Sequence, residues 1–109
     1  MPWLMRDGQV LASLEVAQTR RERGRGLLGR DGIEGALLLP SVRSVHTVGM
    51  RFPLDVAFCD TEMRVLRIVR MGRGRVTRPV WRARCVIEAE AGAFARWGLR
   101  PGDQLEVSE

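Results

Sequence analysis

The sequence predicts an α+β fold that is mostly β, with a curved antiparallel sheet or incomplete barrel of about six strands and two short helices. The chain has 109 residues, 45% of them hydrophobic, which suits a single domain over residues 1–109. Several short segments alternate polar and apolar residues, as half-buried strands do. Because these segments follow one another closely without long helices between them, a parallel doubly wound sheet is disfavoured.

The first predicted elements are a strand at Val10–Val16 and a helix at about Arg20–Leu28. The strand is predicted because alternate residues of its segment are apolar. The helix is predicted because Thr19 and Glu22 have the spacing of a capping box, in which each satisfies a free backbone N–H of the other. Two glycines within it weaken the helix, so packing of its apolar end must hold it.

The rest of the chain reads as short strands separated by turns. Extended segments are predicted at Gly35–Pro40, Ser44–Thr47, Leu54–Asp60, Met63–Val69, Arg84–Ala89 and Leu105–Val107. A second helix is expected at Ala91–Trp97, ended by Gly98 at its C′ position. Residues 71–82 contain two glycines and a proline and are expected to form a long irregular loop.

The positive charge of the chain is unevenly distributed. The formal net charge is +5, and all 18 basic residues are arginine. Residues 64–84 hold eight arginines and no acidic residue, a pattern that attracts phosphates. Single-strand binders usually interleave aromatic side chains, and Trp81 is the only aromatic here. Nucleic acid is therefore an alternative partner, and a solvated face enriched in arginine is the favoured interpretation.

Neither a membrane span nor a metal site is predicted. No apolar run approaches the roughly 20 residues that cross a bilayer, and the first ten residues lack the apolar stretch of a secretion signal. The expected location is the cytoplasm, where Cys59 and Cys85 would be buried free thiols. Only one histidine, His46, could assist the two sulfurs, so no metal and no cofactor is expected.

One long motif and several short ones resemble the domain-of-unknown-function 192 family. The segment His46–Asp60 is similar to the family's central signature of His or Trp, Met, Pro-Leu/Ile-Asp and a following apolar strand. Weaker matches lie on both sides of this segment and occur in the same order as in the family. Before it come Thr19, Arg23, Gly26, Leu27 and Arg30, and after it come Val86-Ile87-Glu88, Ala91-Gly92 and Gly102-Asp103.

The resemblance covers nearly the whole chain, from about Val10 to Val107. It departs from the family at Leu28, where methionine is frequent, and this is a conservative change in packing. The resemblance implies a small, largely β-structured domain. It implies no activity, because the family has no established one.

Three ionisable residues are the main candidates for chemistry. His46 could act as an acid or base near neutral pH. The resemblance favours a flat ring that lines a surface instead, because tryptophan is acceptable at this position and carries no protons. Asp55 could hold the preceding loop through backbone N–H groups, and Glu88 could cap the second helix. Glu88 could instead pair with an arginine, and an Arg23–Glu88 or Arg51–Asp55 ion pair would be structural.

The favoured interpretation is a small binding or accessory domain without catalytic residues, whose ligand is a small molecule or a protein. The predicted cleft is lined by His46, Thr47, Met50, Arg51 and Asp55, with Arg23 and Glu88 nearby. Two alternatives stay open. One is a small hydrolase-like enzyme that uses Asp55 or Glu88 with His46. The other is a nucleic-acid-associated protein that uses the arginines of residues 64–84.

Overall fold

A seven-stranded sheet forms the centre of the computed structural model, which describes residues 1–109. The strands are β1 (Trp3–Arg6), β2 (Gln9–Val16), β3 (Ala36–Pro40), β4 (Leu54–Cys59), β5 (Val65–Met71), β6 (Cys85–Glu90) and β7 (Glu106–Ser108). The helices are α1 (Arg20–Arg25) and α2 (Ala93–Trp97). The prediction of a mostly β fold with two short helices is confirmed.

The strands lie in the order β5-β4-β6-β3-β2-β1-β7. All neighbouring pairs are antiparallel except β2 and β3, which are parallel. The sheet is therefore mixed rather than wholly antiparallel, because α1 and the loop after it carry the chain back to start β3 beside β2. The sheet is not closed into a barrel.

The strand that sequence reasoning did not find is β1. It pairs with β2 through a two-residue turn at Asp7 and Gly8, whose φ angles are 52° and 76°. Two positive φ angles are typical of the type I′ turn that favours an Asp-Gly pair. This Asp-Gly pair is the sequence signal that predicts the hairpin.

The two faces of the sheet support two separate cores. One core, the α2-side core, includes Ala57, Cys59, Ile87 and Phe94. The other, the α1-side core, includes Leu27, Leu37, Leu54, Val56 and Val86. Both faces of β4 and nearly all of β6 are buried, because successive side chains alternate between these cores. Helix α2 covers one face through Ala93 and Phe94, and the turn after α1 covers the other through Leu27.

Helix α1 begins as predicted and ends earlier than predicted. The Thr19 hydroxyl accepts a hydrogen bond from the Glu22 N–H at 3.1 Å. The Glu22 carboxylate accepts from the N–H of Gln18 at 2.7 Å, one residue before the N-cap. The helix ends at Arg25 because Gly26 has a φ of 53°, which no helical residue adopts.

The edges of the curved sheet approach each other at one end. The Val65 N–H at the start of β5 donates to the Asp103 carbonyl at 2.9 Å, and the Leu105 N–H donates to the Met63 carbonyl at 3.0 Å. These bonds tie the segment before β7 to the β4–β5 hairpin. The hairpin turn forms at Asp60 as predicted, where one carboxylate oxygen accepts from the N–H groups of Glu62 and Arg64.

The second helix, unlike the first, ends where it was predicted to end. Gly98 takes a φ of 64°, and its N–H donates to the carbonyl of Ala95. Both helices are too short to span a lipid bilayer.

Candidate functional site

A half-open groove lies on the α1 side of the sheet and has a volume of about 520 Å³. Its walls come from the turn that follows α1 and from the loop between β3 and β4, and its floor comes from the sheet. This cavity is called the α1 groove below. It is lined by Arg20, Arg23, Gly24, Arg25, Gly26, Leu27, Leu28, Leu39, Ser41, Val42, Ser44, Val45, His46, Met50, Leu54 and Glu88.

Glu88 supplies a buried carboxylate to this groove. It lies on the central strand β6, directly opposite Leu37 of β3 and Val56 of β4. The residue is 3% exposed, and its Oε1 atom has no hydrogen-bond partner. Burying a charged group without a hydrogen-bond partner destabilises a folded protein by roughly several kcal/mol. A ligand that enters the cavity can supply the missing donor to such a group at its floor.

Burial raises the pKa of the Glu88 carboxyl from 4.5 to about 7. The backbone N–H of Leu27 favours the ionised form, but the loss of hydration outweighs it. Glu88 therefore changes charge near neutral pH, so it can donate a hydrogen bond when protonated and accept one when ionised.

Gly26 brings the backbone close to this carboxylate. A Cβ atom at this position would lie 2.9 Å from Oε1 of Glu88. The glycine has a positive φ and no side chain, so the turn after α1 can cover the floor of the groove without filling it.

The entrance of the α1 groove is basic, and its inner wall is apolar. The half-buried Arg23 and the exposed His46 line it from opposite walls. His46 is positioned by a single antiparallel bridge to Val76, in the long loop before β6. Met50 and Leu54, 7% and 1% exposed, provide apolar contact surface deeper in the groove.

The structure brings four of the seven predicted site residues together, namely Arg23, His46, Met50 and Glu88. The other three line neither wall of the groove. Thr47 is fully buried, and its hydroxyl donates to the Gly72 carbonyl at 2.6 Å and accepts from the Arg75 N–H at 2.8 Å. Thr47 thereby fastens the loop before β4 to the loop after β5.

Asp55 holds the start of helix α2 from the opposite face of the sheet. One carboxylate oxygen accepts from the N–H groups of Gly92 at 2.9 Å and Phe94 at 3.1 Å. The other accepts from Arg70 Nε at 3.1 Å. The sequence-based expectation that Asp55 accepts backbone N–H bonds is confirmed, but these donors belong to α2 rather than to the preceding loop.

Neither of the two possible ion pairs, Arg23–Glu88 or Arg51–Asp55, forms. Arg51 pairs with Asp31 at 2.9 Å, and Asp55 pairs with Arg70. Glu88 makes no ion pair and does not cap α2, because its side chain lies on the α1 side of the sheet while α2 covers the other face. These partners were considered because a buried carboxylate needs pairing, whereas strand register places Arg70 opposite Asp55.

The same register separates the two candidate carboxylates. Asp55 lies opposite Ala89, and Glu88 lies opposite Val56, so the two side chains point to different faces. They cannot act together on one substrate. Any acid–base chemistry at the α1 groove would have to use Glu88 with His46.

Sequence reasoning missed the part of the groove wall formed by residues 41–45. Val42 and Val45 pack into the groove from an irregular loop that has no periodic pattern. The only sequence signal was the pair of valines, Val42 and Val45, among polar residues just before the central motif.

A second groove, of about 560 Å³, lies beside the edge strand β5. It is called the arginine groove because four arginines, Arg67, Arg70, Arg75 and Arg78, line it together with apolar residues that include Phe58 and Val76. Half of the arginines of the basic 64–84 segment therefore contribute to one concave surface.

Comparison with known proteins assigns a family model to nearly the whole chain. The model of domain of unknown function 192, described as "Uncharacterized ACR", matches residues 3–107. A search of curated proteins found no match.

Two solved structures have a similar fold. A protein of unknown function from Novosphingobium aromaticivorans superposes with a TM-score of 0.73 at 25% identity, over 87% of this chain and 74% of that one. A "putative transcription regulator" from Sinorhizobium meliloti superposes with a TM-score of 0.82 at 21% identity, over 97% of this chain and 91% of that one. The second likeness concerns the fold alone.

Proposed function

The chain belongs to the family of domain of unknown function 192, and from this premise we propose that it is a single-domain, non-catalytic binding module whose ligand occupies the α1 groove. We place it in the cytoplasm as part of the same proposal, since two free thiols suit a reducing compartment.

The observation that carries the proposal is the unpartnered Oε1 atom of Glu88. Nearly all buried polar atoms in folded proteins have a hydrogen-bond partner. Here the carboxylate lies at the floor of a cavity, and replacing it with an apolar residue would remove the cost of its burial. A ligand that donates a hydrogen bond to Oε1 explains why an acidic residue at this position is useful.

The groove also indicates the chemical class of the ligand. Its floor requires a donor such as an ammonium or amide group, and its apolar wall at Met50 and Leu54 suits an aliphatic or aromatic body. Arg20, Arg23 and Arg25 at its α1 wall favour an anionic group. A small zwitterion with an apolar side chain, such as a free amino acid, has all three features.

The proposal is tested with the free amino acids as the probe panel, using calorimetric titration at pH 8. We expect at least one apolar amino acid to bind the wild-type protein. Glu88→Gln is expected to weaken that binding about tenfold or more, since hydrogen bonds to a charged partner contribute roughly 1.5–3 kcal/mol.

The matched control is Glu62→Gln, which changes an exposed glutamate in the β4–β5 turn. This variant should bind like the wild type. Absence of binding by every amino acid, or equal binding by the Glu88→Gln variant, would contradict the proposal.

The second candidate function is nucleic-acid binding at the arginine groove. The observation that favours it is the placement of four arginines around one concavity, which could follow a phosphate backbone. Trp81 lies in the loop between β5 and β6 that also carries Arg75 and Arg78. Its side chain is 71% exposed and could stack on an unpaired base.

Fluorescence anisotropy with a labelled single-stranded oligonucleotide tests this second function. Binding at about 50 mM salt should weaken steeply as salt rises, and Arg75→Ala with Arg78→Ala should reduce the salt slope by about two. Arg96→Ala, outside this groove, serves as the control. A flat salt response, or no binding at low salt, would exclude nucleic-acid binding at the arginine groove.

A further inference from the structure

Three sulfur atoms meet on the face of the sheet that α2 covers. They lie near the start of β6, whereas α2 follows the end of this strand. Cys59 ends β4, Cys85 begins β6, and the two are direct partners in the antiparallel register. Direct partners extend their side chains from the same face with Cβ atoms about 5 Å apart. Met63, in the hairpin turn between β4 and β5, places its Sδ atom 3.5 Å from Sγ of Cys85.

The two thiols influence each other's pKa. A hydrogen bond between them lowers the pKa of Cys85 and raises that of Cys59. Burial and the nearby Asp60 carboxylate raise the pKa of Cys59 further.

The two thiols belong to the buried α2-side core, and Met63 packs against that core. Cys59 is fully buried, Cys85 is 7% exposed, and Leu105 and Val65 cover them at 1% and 2% exposure. Met63 is only half-buried, and its Sδ atom contacts Cys85 Sγ, so it links this thiol to the protein surface. A metal ion could reach the thiols by displacing this flexible side chain, which has three rotatable bonds.

We infer that Cys59, Cys85 and Met63 form a binding site for a soft monovalent cation, with Cu(I) as its metal. Thiolate and thioether ligands select Cu(I), whereas Zn²⁺ takes four nitrogen, oxygen or thiolate ligands. No group of three or more His, Cys, Asp and Glu side chains is arranged to hold a metal, which disfavours Zn²⁺ here.

The distance between the sulfurs of Cys85 and Met63 suits this ion. A three-coordinate ion with metal–sulfur bonds of about 2.3 Å holds its sulfurs about 4 Å apart. The 3.5 Å between Cys85 Sγ and Met63 Sδ needs to open by only a few tenths of an ångström. Binding displaces the thiol protons, so affinity for the ion rises with pH.

This inference departs from the sequence-based expectation of no metal site. That expectation took His46 as the third ligand, and His46 lies in the α1 groove on the other face of the sheet. The structure supplies the thioether of Met63 instead. A disulfide between the two cysteines is the competing use of this pair, since direct strand partners lie within the Cα separation a disulfide requires. The third sulfur favours the metal, because a disulfide has no role for Met63.

The inference is tested by anaerobic titration of the reduced protein with Cu(I), supplied as its acetonitrile complex, in competition with bicinchoninate. We expect one Cu(I) per chain to be withheld from the chelator and X-ray absorption to show only sulfur neighbours. Cys59→Ser and Cys85→Ser should each weaken binding at least a hundredfold, and Met63→Leu about tenfold.

Met5→Leu is the control, because Met5 is also half-buried but lies in β1, away from the cluster. Circular dichroism of each variant reports folding, and Met63→Leu keeps the test decisive if a serine variant unfolds, since it changes a half-buried turn residue of similar size. Transfer of all Cu(I) to the chelator by the wild type would overturn the inference. So would equal affinity of the Met63→Leu and Met5→Leu variants. A third result would also overturn it: the reduced protein binds no Cu(I), and both thiols disappear on exposure to air. The two cysteines would then form a disulfide rather than a metal site.

Discussion

At the scale of single residues, two buried carboxylates show how strand register determines role. Asp55 and Glu88 are 2% and 3% exposed and lie on adjacent strands. Asp55 accepts three hydrogen bonds, from Arg70, Gly92 and Phe94. Glu88 faces Leu37 and Val56 and keeps one oxygen unpartnered. Asp55 therefore has a structural role, whereas Glu88 keeps an oxygen that can still accept a hydrogen bond.

Replacing Asp55 with alanine is expected to destabilise the protein by about 2–4 kcal/mol. The change leaves the N–H groups of Gly92 and Phe94 without their acceptor at the start of α2. Urea denaturation followed by circular dichroism measures the loss. Asp31→Ala breaks the exposed pair with Arg51 and should stay within about 0.5 kcal/mol of the wild type. Equal effects of the two changes would show that Asp55 does not hold α2.

Glu88 is expected to make the folded protein less stable as pH rises. The pKa of its carboxyl is about 7 when folded and 4.5 in its ordinary state, so the folded state binds the extra proton between these values. The free energy of unfolding should thus fall by about 3 kcal/mol from pH 4.5 to pH 7, and stay low above it.

The Glu88→Gln variant isolates this effect. It has nearly the same shape and no titration, so its stability should vary less across the same window and exceed that of the wild type at pH 8. Urea denaturation at pH 5 and pH 8 compares the two proteins. Parallel pH profiles would mean that Glu88 ionises at its ordinary pKa in the folded state.

At the scale of elements, turns determine where short strands meet. The β2–β3 pair is the only parallel one, and Gly35 lies where β3 begins against β2. Its φ is 80°, and a Cβ atom there would overlap the carbonyl oxygen of Ser13. The return of the chain beside β2 therefore depends on a residue without a side chain.

Gly35→Ala is expected to destabilise the protein by about 2 kcal/mol or more. Both the positive φ and the overlap with Ser13 disfavour a side chain at this position. Gly72→Ala is the matched control, because a Cβ at Gly72 has no neighbour within 4 Å. Thermal unfolding of both variants measures the difference. A Gly35→Ala protein as stable as Gly72→Ala would mean that the β2–β3 connection relaxes without cost.

At the scale of the whole molecule, one short contact joins the two edges of the sheet. Edge strand β5 and the segment before edge strand β7 meet through backbone hydrogen bonds at Val65 and Leu105. Leu105 is 1% exposed and packs in the α2-side core although it lies outside any strand. The curvature of the sheet is thus fixed by side-chain packing as well as by these few bonds.

Leu105→Ala is expected to reduce stability by about 2–5 kcal/mol, because it opens a cavity where the two edges meet. Hydrogen exchange should also speed up at the amides of Val65 and Leu105, both of which bond across this contact. Val107→Ala, at a position that is 41% exposed, should have little effect on either measurement. Unchanged exchange at Val65 would show that the edges hold together without Leu105.

Much of the fold and part of the candidate site could be predicted from sequence. Alternating apolar residues identified the strand around β2, and the spacing of Thr19 and Glu22 identified the start of α1. The β1 strand was missed because its four residues are too few to show a period, although Asp7-Gly8 marked its turn. Four predicted site residues line the α1 groove.

By itself, the sequence determined which segments can form strands, helices and turns, because those preferences depend on neighbours along the chain. The tertiary structure decided which side chains meet. Strand register placed Glu88 and Asp55 on opposite faces, and it set Cys59 beside Cys85 from positions 26 residues apart. Register depends on the packing of both faces of the sheet at once, which no local pattern encodes.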